Sequence, residues 1–464
     1  MNYRSIYFAN EEDSTNYKNE LSNRAKWLRS LVLKAVISSV NMRLAVKTYH
    51  SSGHSYIAWE RCNVSIGDSF AYSKLFNRTT EGEDSGYSIS PILHGNIPRM
   101  WEMIESRPPN EGINIRVCSY NVLCQNTAMQ HEVMYTHLSK NASAYALQWS
   151  YRSSLLAYEL LRINADVICL QEVQFDHFDS FYKPLLIDAG YFCEFKQKTG
   201  SFIDGCAIFY RSKFDCLKYI PIEYYLDENC VLNRHNVGMH IYLVMNTNLV
   251  ICRNNVRRQI MRLKDKQSGA EFCIANTHLL FNMKRGDVKF AQLVILLATL
   301  DKECGPNADK PSPLIICGDF NLPSGCPIYN FLLGHPLLLA KFCNARLVDQ
   351  YAKHSRHSSY DIISEKLKIG QNCCFFENID KTVQSSNEFR THSFKLADAY
   401  ASLVPQQDRR NNLMRARIFE SRLHLYRRLT LPTLNSLHST SSPWPNATTP
   451  SDHIPLIVDF ILSI

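Results

Sequence analysis

The chain contains no apolar run near the ~18 residues that a membrane span requires, no C-x-x-C pair and no internal repeat. A spanning helix, a zinc site built on closely spaced thiols and a solenoid are therefore excluded as sequence expectations. The most hydrophobic stretch, Trp27 to Val46, is interrupted by Arg29, Lys34 and Arg43 and reads as an amphipathic helix. Glu11, Glu12 and Asp13 stand where a secretory or transit peptide avoids acids. Without such a signal, the N-x-S/T matches at Asn63, Asn77, Asn141 and Asn446 are background. The 16 cysteines resemble a disulfide framework by number only, since Cys118, Cys169, Cys273 and Cys317 sit inside apolar runs. Buried reduced thiols in a reducing compartment, cytoplasm or nucleus, are the expectation, with no membrane partner.

What is present supports a large folded domain. Hydrophobic residues make up 45% of the 464 and charged residues 20%, enough for a substantial core. The net charge of +8 leans weakly towards a polyanionic partner. Residues 1–110 read as an N-terminal extension carrying the amphipathic helix, and 111–464 as the main domain. From Ile113 onward, short β-branched runs follow one another: INIRVCSYNVL, ADVICLQEV, GCAIFYRS, VGMHIYLVM, EFCIANTHLL and PLIICGDFN. Helical spacing appears over Tyr145–Ile163 and Asp287–Leu300. Strands interleaved with helices predict an α/β architecture of two packed sheets with outer helices. Residues 353–390 read as an irregular insertion holding Cys373 and Cys374, and about 405–450 as an arginine-rich then Ser/Pro-rich segment. Arg409 to Arg428 holds seven arginines and one acid. As a helix it would either offer Arg410, Arg417 and Arg428 to phosphates or form a solvated face. The chain closes on the strand IPLIVDFILSI.

Polar residues interrupt the apolar strands at their ends: Asn121, Glu172, His278, Asp319 with Asn321, and Asp452 with His453 before the last strand. One such residue is usually a turn former, but five strand boundaries here deliver carboxylate, amide or imidazole groups. Glu172 on a buried strand suits Mg²⁺, a hard cation that prefers oxygen. Asp319 and Asn321 fall on one face of an extended segment and could orient or deprotonate a water. His453 could donate to a phosphate oxygen as negative charge develops. Together they describe metal-assisted hydrolysis of a phosphoester.

In order, SYNVL, CLQEV, THLL, CGDFN and SDHIPL resemble the motifs of the endonuclease/exonuclease/phosphatase superfamily. More narrowly, DVICLQEVQFDHF, GYFCEFKQKTG, DGCAIFYRSKF, NVGM, ANTHLLFNMKRGDVKFAQL and CGDFNLPSGCPIYNFL resemble the Angel proteins, in the carbon catabolite repressor 4 and nocturnin-like branch. The resemblance runs almost continuously over residues 96–335, then returns at SDHIPL. It implies a two-sheet sandwich, Mg²⁺ dependence, an RNA 3′ end as substrate and protein partners in mRNA metabolism. It implies Glu172 as metal ligand, Asn121 beside it, Asp319 and Asn321 positioning the nucleophile, and His278 on phosphate. Asp452 would assist near the metal, His453 would stabilise the transition state, and Asn236 would face substrate.

Two departures stand out. Before Asn236 the family commonly has an acid; here it is His235, read as an exposed loop residue or as a change in substrate holding. Family members also carry an interior strand with an Asp-Tyr or Asp-His pair before the final motif, whose Asp orients the imidazole equivalent to His453. No such segment stands between Ala401 and Pro450. Asp398 and Asp408 are the nearby acids weighed as substitutes. The expected function is an Mg²⁺-dependent hydrolase of RNA 3′-end phosphoesters, a 2′,3′-cyclic phosphatase or a deadenylase-like 3′ exoribonuclease. The alternative is a catalytically impaired RNA-binding or adaptor protein.

Overall fold

In a computed structural model of the chain, described residues are 44–51, 54–61, 92–94, 97–104, 112–140, 144–226, 231–239, 241–242, 261–309, 311–350, 367–375, 389–400, 417–419, 422–432 and 443–463. The chain divides into two units, residues 1–90 and 91–464. In the first, Leu44–Ser51 pairs antiparallel with His54–Arg61. The end of the expected amphipathic helix, Leu44 to Val46, is thus strand; its residues 27–43 lie outside the described ones.

In the second unit, β-branched and aromatic runs bounded by turn residues form two sheets. The first is seven-stranded. In chain order its members are β1 (Trp101–Met103), β2 (Ile113–Asn121), β3 (Val167–Gln174), β4 (Tyr191–Gln197) and β5 (Asp204–Arg211). The second sheet, nine-stranded, includes β6 (Phe214–Tyr219), β7 (Val237–Met239), β8 (Met261–Asp265), β9 (Glu271–His278), β10 (Leu314–Asp319), β11 (Ala397–Asp398) and β12 (Arg417–Phe419). Strands β13 (Leu423–Leu429) and β14 (Leu456–Leu462) complete the first, whose order is β1-β13-β14-β2-β3-β5-β4.

Between the sheets lies an apolar layer that includes Val117, Cys169, Ile208, Phe272, Ile274, Cys317 and Phe460. Helix α1 (Trp149–Ile163) covers the outer face of the first sheet through Leu156, Leu160 and Ile163. Helix α2 (Gly286–Cys304) covers the second, buried along nearly its whole length. Among the described residues each sheet contains one parallel pair, β2 with β3 and β9 with β10. Their registers, Asn121 opposite Gln171 and His278 opposite Asp319, bring the carboxyl ends of four strands to one end of the sandwich. Across the interior, Gln171 Nε2 donates to Asn276 Oδ1 at 2.7 Å, and Asn276 Nδ2 donates to the Leu170 and Ala207 carbonyls. This amide bridge ties the two sheets together directly beneath that end, with Gln171 Oε1 left as a buried acceptor without a partner.

The two-sheet α/β expectation and the helices are borne out, and three readings are corrected. Residues 101–103, placed in the extension, are β1 and pair with β13. The arginine-rich run is not a helix in its described part: Arg417–Phe419 and Leu423–Leu429 are strands, the alternation of leucine with polar residues in LHLYRRL fitting a sheet with one buried face. Arg427 and Arg428 neither reach out to phosphate nor form a solvated face, for they pair with Asp459 and Glu102. Last, an interior strand does precede the final motif, because β12 pairs with β10 and β11. It carries Arg-Ile-Phe in place of an Asp-containing pair, so the strand persists while its acid is lacking. Asp408 and Arg410 lie outside the described residues.

Candidate active site

Local backbone devices aim the site residues. Strand β3 shifts register against β5 between Leu170 and Val173, and inside this bulge Glu172 takes a left-handed φ of 57°. The bulge turns the Glu172 carboxylate to the open end of the sandwich, at a strain cost of order 1–3 kcal/mol. Gly318, at φ 147°, brings the backbone so near that a Cβ would stand 2.1 Å from the Thr277 carbonyl oxygen. Asn321 is again left-handed, φ 51°, and closes a turn in which its backbone N–H donates to Asp319 Oδ1 at 3.0 Å.

Six of the expected residues converge. Asn121 Nδ2 donates to Glu172 Oε1 at 2.8 Å and to Asp319 Oδ2 at 3.0 Å, joining the two sheets through one amide. The other Glu172 oxygen accepts from the Cys124 N–H at 3.1 Å. His278 Nε2 lies 4.0 Å from Glu172 Oε1 and 3.8 Å from Asp319 Oδ2, while its buried Nδ1 has no hydrogen-bond partner. His453 Nε2 stands 3.3 Å from Asp319 Oδ2, and its Nδ1 is 2.9 Å from Asp452 Oδ1.

The remaining expected residues sit at the edge. The Asn321 amide donates to the Leu279 carbonyl at 3.1 Å, fixing the turn. Asn236 is buried next to the site, its Nδ2 3.5 Å from the His278 carbonyl oxygen. His235 is not a free loop residue: Thr199 hydrogen-bonds its Nδ1 at 2.7 Å and Tyr225 stacks on its ring at 4.4 Å. Asp398 does not replace the lacking acid, since it accepts from the Tyr329 hydroxyl and the Tyr400 N–H. The carboxylate beside the imidazole Nδ1 is that of Asp452, at 2.9 Å.

The electrostatics assign charge states. Burial, with the Lys198 ammonium nearby, lowers His278 to about 4, so its imidazole is neutral at physiological pH. Burial works against protonation of His453 too, but Asp452 and Asp319 outweigh it and hold His453 well above its ordinary value, as imidazolium. Burial would raise Asp319, yet His453, His278 and the Asn121 amide hold it well below the usual carboxylate range. Such a carboxylate orients a water more readily than it deprotonates one.

Donor atoms of Glu172, His278 and Asp319 lie within 4.8 Å of one another. Two carboxylates, one neutral imidazole and an adjacent carboxamide form an oxygen-rich set that fits a hard divalent cation. Residues outside the sequence expectation support it. Lys198 pairs with Asp204 at 2.5 Å on the Glu172 side. Arg152, fully buried on α1, donates to the Pro450, Val122 and Leu123 carbonyls and to Gln125 Oε1. Their segments, FKQKTG, DGCAIFYR and the helix after Tyr145, were legible as structure, but nothing in a lone Lys or Arg marks which one will be buried.

The model of the Endonuclease/Exonuclease/phosphatase family matches residues 118–462. The chain belongs to that family. Within the endonuclease/exonuclease/phosphatase family it is similar to Protein angel homolog 2 of Bos taurus, at 30% identity over 398 residues, 75% of this chain and 69% of that protein. Protein angel homolog 1 of Rattus norvegicus is 34% identical over 248 residues, 52% of this chain and 35% of that protein. Among solved structures, that of ANGEL2, a 2′,3′-cyclic phosphatase, superposes with a TM-score of 0.67 at 30% identity, over 80% of this chain and 100% of that one. ANGEL2 in complex with adenosine-2′,3′-vanadate gives 0.65. The Angel resemblance read from the motifs is thereby borne out. Members of this family generally depend on a divalent metal, for which the Glu172, His278 and Asp319 cluster provides a candidate site. Among the described residues no helix is long and apolar enough to cross a membrane.

Proposed function

We propose that the chain is an Mg²⁺-dependent phosphoesterase of RNA 3′ ends that hydrolyses a terminal 2′,3′-cyclic phosphate. The observation carrying this reading is the convergence of Asn121, Glu172, His278, Asp319 and His453 at one end of a sandwich 30% identical to a 2′,3′-cyclic phosphatase. Glu172 would hold Mg²⁺, with Asp319 and His278 completing the cluster. When bound, the cation supplies Lewis-acid polarisation of the phosphoryl group and stabilises the leaving oxygen. Asp319, fixed by Asn121 and the Asn321 turn, orients the attacking water. Neutral His278 contacts the phosphate. The His453 imidazolium donates a hydrogen bond to the phosphoryl oxygen where negative charge grows. Asn236 would meet the substrate beside His278, and protein partners would be those of mRNA metabolism.

The test is turnover of two end-labelled RNAs, one poly(A)-tailed and one ending in a 2′,3′-cyclic phosphate, with Mg²⁺ and with EDTA. Metal-dependent loss of the cyclic phosphate, abolished in Glu172→Gln, supports the proposal; shortening of poly(A) alone redirects it to an exoribonuclease. A second reading, an adaptor without turnover, is favoured by the absence of an acid in β12. Failure to process either RNA by folded protein would establish it over the first.

A further inference from the structure

We infer that Tyr135 is a positioning residue for the reactive imidazole, bracing Asp452 so that Asp452 serves as the orienter of His453; this rests on the hydrolase reading above. Tyr135 ends a short helical turn, Glu132–Tyr135, in the insert between β2 and α1. Its ring is 7% exposed and packs with Leu123, Ala128, Leu138, Ala146 and Leu147. Its hydroxyl donates to Asp452 Oδ2 at 3.1 Å, while Oδ1 of the same carboxylate meets His453 Nδ1 at 2.9 Å. His453 Nε2 then faces Asp319 at 3.3 Å. The result is one continuous line from a buried phenol to the water-orienting carboxylate.

Three features make the brace more than packing. Asp452 lies on a turn with its side chain 31% exposed, so the His453 contact alone would leave the carboxylate free to swing towards solvent. With both oxygens engaged on one side, it has a single orientation, and the imidazole has a fixed ring plane. Burial, and the carboxylate next to it, push the Tyr135 phenol up, so it stays protonated and remains a donor. The same insert and α1 also grip the chain before Asp452: His137 reaches the Pro445 carbonyl, Tyr151 donates to that of Ala447 and Arg152 to that of Pro450. Those three hold backbone; Tyr135 alone touches the reactive pair. The acid that the interior strand lacks is thus supplied from the neighbouring position, steadied from outside the sheet.

The experiment compares wild type, Tyr135→Phe, Asp452→Asn and the double variant by kcat, KM and the Mg²⁺ half-saturation on RNA ending in a 2′,3′-cyclic phosphate. In parallel, proton NMR of the metal-free proteins follows the low-field His453 Nδ1–H signal, assigned by its loss in His453→Gln. Tyr135→Phe should lower kcat about tenfold to hundredfold, the range of one hydrogen bond to a charged group, with KM and metal half-saturation unchanged. The double variant should be no worse than Asp452→Asn, and the His453 resonance should shift or broaden. Additive losses, or an unmoved resonance with full kcat in folded Tyr135→Phe, would overturn the inference. If wild type turns over no RNA yet the resonance moves in Tyr135→Phe, the brace stands and the hydrolase reading falls.

Discussion

Replacing Arg152 by methionine isolates the clamp that holds the two halves of the site in register. Methionine has similar length and no donors, so Arg152→Met keeps much of the packing but strands the Pro450, Val122 and Leu123 carbonyls and Gln125 Oε1. At ~1–3 kcal/mol for each of the three buried carbonyls left unpaired, with the half-exposed Gln125 side chain able to turn to water, the gross loss is roughly 3–9 kcal/mol. Against it stands the relief of no longer burying a guanidinium, an effective penalty of several kcal/mol. The net expectation is about 3 kcal/mol of destabilisation. With ~2.1 cal/mol/K of unfolding entropy per residue over residues 91–464, about 0.8 kcal/mol/K in all, the melting midpoint should fall by about 4 °C. Turnover should suffer more than that figure implies, because Val122 and Leu123 lead into the Cys124 N–H that holds Glu172, while Pro450 leads into Asp452 and His453. Thermal and urea melts with parallel kcat measurements at a temperature where both proteins are folded are the assay. A midpoint and a kcat both within error of wild type would refute the idea that a buried arginine registers the site.

Other expectations follow from the same geometry. Glu172→Gln should raise the metal half-saturation and cut kcat by ~10²-fold or more, a several-kcal/mol loss of charge stabilisation, as read by Mg²⁺ titration; unchanged metal dependence would remove Glu172 as the ligand. Since His453 is raised above its ordinary value, turnover that needs the imidazolium should decline only as pH climbs through a point above ~6.5, and His453→Asn should lack that alkaline limb. Its stability contribution has the same sign, fully present below ~6.5 and lost as pH rises through the folded value. His278 runs the other way: lowered to about 4, it stays neutral while the unfolded chain protonates, so stability drains as pH falls from ~6.5 towards that value. His278→Gln should flatten this acid limb in pH-dependent urea melts. Gly318→Ala should cost more than ~3 kcal/mol or prevent soluble expression, because the new Cβ would collide with the Thr277 backbone; near-wild-type yield and stability would contradict so close an approach of the two strands.

Much of the fold could be read from the chain because buried strands advertise themselves. VICLQE and LIICGD are apolar runs that end on a polar residue, and the structure puts those polar residues, Glu172 and Asp319, at one end of the sandwich. Helix α2 was legible for the same reason. Strand β13 was misread because seven arginines within twenty residues outweigh, to the eye, the alternation of LHLYRRL, and charge pairs that neutralise arginine inside a sheet leave no local signature. Similarly, the Asp452 carboxylate accepts from the hydroxyl of Tyr135, more than three hundred positions earlier. Neither composition nor spacing encodes such a contact. The left-handed turn at Glu172 also escapes propensity, since its backbone is imposed by a bulge against β5 rather than preferred by glutamate.

The arginines of β13 also bear on how nucleic acid would be held. The guanidinium groups of Arg116 and Arg427 both lie over the Trp101 ring, at 4.8 and 4.6 Å from its centroid, and both of those arginines grip Asp459. Arg428 is committed to Glu102, and Arg99 and Arg152 are spent on backbone carbonyls inside the molecule. The formal surplus of eight positive charges already discounts the arginines paired with Asp459 and Glu102, but it still counts Arg99 and Arg152, whose guanidinium groups are buried. Charges shut inside the protein displace no counterions when RNA arrives. The logarithmic salt dependence of RNA affinity should accordingly count only the exposed lysines and arginines that meet phosphate, to which Arg99 and Arg152 add nothing.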